Sequence, residues 1–344
     1  MRRLSRFISA TAILGAVGCE SATESAPQVE GKTITVDAST NYAFIRLGSE
    51  AQVVTPATPS TSAEWDLGLF ATSVMTNGGG AGPGGVSVAC LCRPEPTVAE
   101  LQTRTAASEL ARFEAIRIVD VPAASEFMDD ALSPVVTGWF NNPGGAAVAD
   151  PTRSFLVREG TSAAVFTKLR VTQLEGPTSA SPGRVTIEYA SQTTSGGAFG
   201  APRTSTINVG SGRVYFDLTS GAITDVSNWD IAFEGYAIRV NGGVSGSGTI
   251  RALAMTTPPF SAITSTLAAS VPANVYAADS YSGTFGVKPW YRYNITGTDN
   301  QIWPTYDVYL VRRGSDVYKV QLVGYYDAGG RARQITVRYA PLAR

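Results

Sequence analysis

Cys90 and Cys92 are separated by one residue, and the only other cysteine is Cys19. In an exported chain such a pair can close into a local disulfide, hold a soft metal as thiolates, or stay reduced in a core; the spacing leaves all three open. The chain contains no histidine. That removes the commonest neutral metal ligand and the usual catalytic base together, and with them the serine triad, the Cys-His pair and H-E-x-x-H. Asp66 and Asp230 each follow a tryptophan. An aspartate beside a core tryptophan in a strand more often makes a structural backbone hydrogen bond than does acid–base work. A two-carboxylate hydrolase needs its acids about 5–9.5 Å apart, and no sequence pattern places a pair so. The glycine-rich run 78–85 lacks the G-K-[ST] of a phosphate loop. No catalytic residue and no metal ligand is assigned, and the chain is read as a binding protein, not an enzyme. The binding candidates are aromatic. Trp290-Tyr291-Arg292-Tyr293 groups three rings with a cation, a platform for a flat ligand, and Trp139-Phe140 is its weaker echo. Met75, Met128 and Met255 are scattered, as core-filling methionines are.

The elements that must position these residues are written twice. Glu64-Trp65-Asp66-Leu67-Gly68-Leu69-Phe70, closing at Asn77-Gly78-Gly79, is answered by Asn228-Trp229-Asp230-Ile231-Ala232-Phe233-Glu234, closing at Asn241-Gly242-Gly243. Tryptophan and asparagine are twelve residues apart both times. Residues 155–160 (FLVREG) correspond to 309–314 (YLVRRG), and 185–190 to 335–340. The offset drifts from 164 to 150 along the chain, which denotes a duplicated domain with unequal loops and not a solenoid. At 344 residues, two domains are expected. Charged residues make up 16% against a typical ~25%, and 35 glycines accompany abundant Ser and Thr. Such a composition favours short strands and tight turns. The expected fold class is all-β with one or two short helices, a tandem duplication of one β-sheet domain. The expected boundaries are 32–192 and 203–344, with a Gly/Ser/Thr/Pro linker between them. A formal charge of −1 offers no footprint for nucleic acid.

Residues 1–19 read as a lipoprotein signal peptide: a basic start (Arg2, Arg3, Arg6), an apolar stretch too short to span, and Ala16-Val17-Gly18-Cys19 as lipobox. Cys19 is the expected lipidation site and new N-terminus, and two or more acyl chains would hold it stably on a bilayer. Glu20, not aspartate, follows the cysteine, which favours the outer membrane, on its periplasmic or cell-surface face. Residues 20–31 read as a flexible tether.

Within each copy, Trp65, Leu67 and Leu69 share one strand face before the parity switches. Trp229, Ile231 and Phe233 then switch likewise near Gly235, which predicts a bulge or sharp bend. Asn77-Gly78 and Asn241-Gly242 carry the type I′ hairpin signal. Thr97-Val98-Ala99-Glu100 is a capping box opening a helix through about Phe113, with a shorter counterpart over 261–269. Each copy closes with two or three strands.

Taken in order, these motifs resemble the HmuY family of haem-binding lipoproteins of Gram-negative bacteria. The second copy matches better, through Phe216-Asp217-Leu218 with Ser220-Gly221, Trp229 to Phe233, Asn241-Gly242-Gly243, Trp290-Tyr291, 309–312 and 338–342. The first matches through Trp65-Asp66-Leu67, Asn77-Gly78-Gly79, Trp139-Phe140, 155–158 and 185–190. The resemblance implies an all-β haemophore-like protein that holds haem, or a similar planar ligand, through axial His or Met side chains and presents it to an outer-membrane uptake receptor. Neither His nor Met occurs in 291–300 or 140–145. Met128, Met255 or a tyrosinate such as that of Tyr293 are then the remaining axial routes. The ligand-binding candidates are thus Trp139, Phe140, Trp290, Tyr291, Tyr293, Met128 and Met255. The competing reading is an interaction module whose aromatic loops bind a protein or glycan, with no apolar slot.

Overall fold

The computed structural model describes residues 31–342. The signal peptide with Cys19, and the tether up to residue 30, lie outside the described residues. Strands dominate, joined by short helices; among the described residues four α-helical segments of four to six residues occur.

Two five-stranded antiparallel sheets, each with a four-stranded companion, carry the architecture. In the first, Lys32–Asp37, Ala332–Pro341, Asp316–Tyr326, Val308–Arg313 and Val86–Leu91 lie side by side. In the second the order is Arg203–Val209, Gly183–Ser191, Val165–Glu175, Ser154–Glu159 and Arg251–Met255. Position by position these are the same sheet. Their companions also agree: Gln52–Val54, Ala43–Arg46, Leu67–Phe70, Ser73–Thr76 against Ala222–Thr224, Val214–Asp217, Ile231–Glu234, Ala237–Val240.

The sheets do not follow the repeat boundaries. The unit built from the chain's beginning and end, called outer here, takes its first strand and Val86–Leu91 from the first copy and its last three strands from the second. The inner unit takes the last three strands of the first copy and the opening strands of the second. Each has its own core. Leu67, Leu69, Val86 and Val88 pack with Tyr309, Val311, Val320 and Val337 in the outer unit. Phe155, Val157, Leu169 and Ile187 pack with Phe216, Ile231, Phe233 and Val240 in the inner one. The expectation of two domains laid end to end as 32–192 and 203–344 is therefore corrected at the level of packing: the copies trade their closing strands. Residues 192–202 do not separate two domains but join neighbouring strands of one sheet, with Gln192 buried and bridged to Phe199.

The exchange takes place along two crossovers, 92–153 and 256–307. They meet where Ala131–Ser133 pairs antiparallel with Ser280–Ser282, Leu132 opposite Tyr281. Just before this pair, Asp130 and Asp279 make matching contacts. The Asp130 carbonyl accepts from Gly80 N at 2.7 Å, and that of Asp279 from Val244 N at 3.0 Å. Their carboxylates accept from Thr76 N at 2.6 Å and Val240 N at 3.0 Å. A local two-fold relation thus runs through the crossing.

Two local expectations change. The parity switch is a two-residue hairpin turn, Ala71-Thr72 and Gly235-Tyr236, with positive φ at its first residue (50° and 54°). Asn77-Gly78 does not turn a hairpin, since Val86–Leu91 pairs with Val308–Arg313 and not with Ser73–Thr76. Instead the Asn77 side chain donates to Trp65 O at 2.8 Å and accepts from Gly84 N at 3.0 Å. Asn241 does the same with Trp229 O at 2.8 Å and Gly248 N at 3.0 Å. That staple is the reason for the constant twelve-residue spacing. The glycine loops are close-packed against it: a Cβ at Gly78 or Gly242 would fall on the carbonyl of Val86 or Ile250.

Candidate functional site

A cavity of about 420 Å³ opens on the outer unit where the crossovers return to the sheet. One wall comes from the first copy (Cys92, Arg93, Glu95, Pro96). The other comes from the second, with Lys288, Pro289, Tyr291, Arg292 and Tyr293, and with Thr305 and Asp307 at its base. The size falls in the range of small-ligand sites, about 300–1,000 Å³.

The walls are positioned from below. Val86–Leu91 is held in register with Val308–Arg313 as far as the pair Leu91–Val308. Cys90 and Cys92 form a disulfide across Leu91, so of the three states open to the pair in sequence, the disulfide is the one present. Arg93 leaves the ladder there and becomes a hub. Its amide donates to Asp307 Oδ1 at 3.2 Å, Nη1 to Glu109 Oε2 at 2.9 Å and Nη2 to Thr305 O at 3.1 Å. Arg104 and Arg112 complete the network at 3.8 Å from Glu109 and 3.7 Å from Asp307. Burial, then the neighbouring Arg93, holds Arg112 below the ordinary guanidinium pKa. The helix bearing this network starts at the expected capping box, Thr97 with Glu100, but breaks into Val98–Thr103 and Leu110–Ala115.

On the opposite wall, Tyr291–Tyr293 pairs with Ile302–Pro304 as a small ribbon. Trp290 lies beneath it, 1% exposed, donating Nε1 to Thr72 O at 2.9 Å. It is a floor and not a contact surface. Tyr293 is 57% exposed, its hydroxyl 2.9 Å from Asn300 Oδ1. Arg292 contacts Glu95 across the pocket mouth. The site therefore presents two tyrosine rings, the cations Arg93, Lys288 and Arg292, and the acids Glu95 and Asp307.

Of the residues singled out from sequence, the structure brings Tyr291 and Tyr293 together at this cavity, over Trp290. Trp139 and Phe140 lie in the inner unit, where Trp139 is 1% exposed. Met128 is 42% exposed and bridges the edge residue Val88, and half-buried Met255 packs among Leu156, Phe166 and Tyr276. Neither methionine lines the cavity. Arg93, Lys288, Glu95 and Asp307 went unnoticed in the sequence. They stand some two hundred positions apart, and only the strand exchange unites them.

The corresponding face of the inner unit is covered by its own rings. Tyr236, at the position of Thr72, stacks on Trp139 at 6.2 Å and lies tilted against Phe140 at 4.7 Å between centroids. Phe260 lies under Lys168 and Arg170, 4.7 and 4.9 Å away. Ala254 and Thr256 stand where the outer unit has the disulfide. Among the described residues no group of three or more His, Cys, Asp or Glu is arranged to hold a metal ion, and no helix is long and apolar enough to cross a membrane.

Residues 211–339 match the family model for HmuY protein. This sequence-contiguous span is divided between the two units, since strands up to Met255 lie in the inner and those from Val308 in the outer. Among solved structures, the chain is similar to a protein of Bacteroides fragilis described as a lipoprotein. The identity is 20%, over 38% of this chain and 84% of that one, with a TM-score of 0.17. It is also similar to a protein of Bacteroides vulgatus described as an HmuY-like haem-binding protein, at 15% identity over 38% of this chain and 86% of that one, TM-score 0.18. No curated protein matches.

Proposed function

We propose that this chain is a membrane-anchored, non-catalytic binding protein of HmuY type that carries one planar, carboxylate-bearing aromatic ligand, haem in the first place, for uptake. The observation carrying the reading is the composite cavity of about 420 Å³, with Tyr291 and Tyr293 to stack on a flat ring system and Lys288 and Arg292 to meet carboxylates. The HmuY match over 211–339 supports the same class of ligand. Lipidation at Cys19 would hold the protein at the outer membrane, within reach of an uptake receptor. The cavity supplies no histidine or methionine to iron, so a haem iron would have Tyr291 or Tyr293 as protein ligand, or none. With Trp139 and Trp290 buried, the alternative of aromatic loops reading a protein or glycan rests on the exposed Tyr291–Tyr293 ribbon alone.

The test is a titration of the leaderless chain with haemin and, in parallel, with metal-free protoporphyrin, followed by absorbance and fluorescence. Saturation at one equivalent per chain is expected, because the inner counterpart is closed. Arg292→Ala and Lys288→Ala should each weaken binding about tenfold, the effect of ~1.4 kcal/mol. A tyrosinate ligand would show as a changed haem spectrum in Tyr291→Phe or Tyr293→Phe. Broad, non-saturating spectra with both compounds would remove the proposal.

A further inference from the structure

The disulfide at the cavity wall has no counterpart in the inner unit, where Ala254 and Thr256 stand at its two positions. Cys90 is still in the sheet ladder, opposite Tyr309, whereas Cys92 lies one residue past the last rung and lines the cavity. The bond between them ties the first residue off the ladder back onto it, and so sets the direction in which Arg93 departs toward Glu109, Thr305 and Asp307. Two of these hydrogen bonds, to Thr305 and Asp307, cross between the two copies, and the cavity depends on their alignment. Both cysteines are half-buried against the outer core, and Cys92 faces the open cavity, from which a thiolate can approach. A ring spanning one intervening residue constrains the unfolded chain little, so global stability does not account for the bond. Accessible disulfides of that kind are the exchangeable ones.

Resting on the reading of this cavity as the ligand site, we infer that Cys90–Cys92 is a reversible redox control on ligand retention. The oxidised chain holds its ligand and the reduced chain releases it. An external dithiol attacks one sulfur, the mixed disulfide is resolved by the dithiol's second thiolate, and two electrons and two protons end on Cys90 and Cys92 as thiols. The dithiol leaves as its own disulfide. Reduction frees Cys92 from the last rung, loosens 92–96, and separates the Arg93 wall from the Tyr291–Tyr293 wall.

The experiment uses the leaderless chain with metal-free protoporphyrin as fluorescent probe, so that the reductant has no iron to act on. Affinity is measured oxidised, after dithiothreitol, and after reoxidation. A fall of at least tenfold on reduction, reversed on reoxidation, is expected. The double variant Cys90→Ala with Cys92→Thr, which installs the inner unit's own residues, should bind like the reduced chain and ignore dithiothreitol. Amide exchange over 91–96 should quicken on reduction in the natural chain only. Equal affinity in the two states, or an equal response of the double variant to dithiothreitol, overturns the redox control and leaves the ligand site standing. Absence of saturable binding in the oxidised chain removes the ligand site, and this inference with it.

Discussion

Asp66 and Asp230 occupy the same position of the repeat in opposite electrostatic surroundings. Both perform the structural task expected of them, accepting a backbone N–H: from Leu47 at 2.7 Å and from Leu218 at 2.8 Å. Asp66 is fully buried and also contacts Arg313 and, at 3.4 Å, Arg46. The residue matching Arg313 in the other copy is Glu159, so Asp230 faces an acid instead. Burial foremost, then Glu159 and Asp217, push its pKa up to about 6. Burial pushes Asp130 up to about 6 as well. For both carboxyls the folded value exceeds the unfolded one, so the native state binds the proton more tightly. Stability therefore falls as pH rises through the window from about 4 to about 6, by on the order of 3 kcal/mol per group. Asp230→Asn, which keeps the acceptor and drops the charge, should raise stability at pH 7 by about 1 kcal/mol and flatten part of that slope. Asp66→Asn should cost about 2 kcal/mol, since it leaves the half-buried Arg313 and Arg46 without their buried anion. Chemical denaturation of both variants at pH 4.5 and 7 decides the matter. The sequence showed that these aspartates were structural. It could not show which was paired, because the partner at 313 or 159 arrives from the other copy.

At the scale of elements, one device recurs. Lys319 and Lys168 stand at equivalent places in their sheets, and both reach into the short helical segments above. Lys319 Nζ donates to Phe113 O at 3.0 Å, Glu114 O at 3.4 Å and Ile116 O at 3.5 Å. Lys168 Nζ donates to Phe260 O and Ile263 O, both at 3.0 Å. Each ammonium also lies over a phenylalanine ring, Phe113 at 4.8 Å and Phe260 at 4.7 Å. A helix of six residues is too short to persist by propensity. A buried cation on its terminal carbonyls fixes it, and burial in turn lowers the pKa of both lysines. Lys319→Met, similar in length but without donors, should cost about 2 kcal/mol. It should also quicken amide exchange over 110–116 more than elsewhere; a uniform change would deny the clamp its local role. The capping box and the closing strands were legible because their signals are local. The hairpin at Ala71-Thr72 read instead as a bend because a two-residue turn also flips side-chain parity. Asn77-Gly78 read as a turn because Asn-Gly is the local hairpin signal, whereas its asparagine bonds a carbonyl twelve residues earlier.

For the whole molecule, composition and alternation made the all-β class legible and the repeated motifs pointed to a duplication, and the family model for HmuY protein matches residues 211–339. What no periodicity carries is which copy completes which sheet. The motifs are the same whether each copy closes on itself or trades strands, since either arrangement pairs the same residue types. Only the packed structure distinguishes them, through Val86–Leu91 beside Val308–Arg313 and Ser154–Glu159 beside Arg251–Met255. The exchange makes the candidate site composite, with one wall from each copy in the outer unit, while Tyr236 and Phe140 pack together on the corresponding face of the inner. The most direct measurement is to place a protease site in the loop between residues 195 and 198, cut it, and pass the nicked protein through size exclusion without denaturant. The exchanged arrangement predicts that both halves elute together at the position of the intact chain and still take up one equivalent of protoporphyrin. Two folded fragments eluting separately would contradict it.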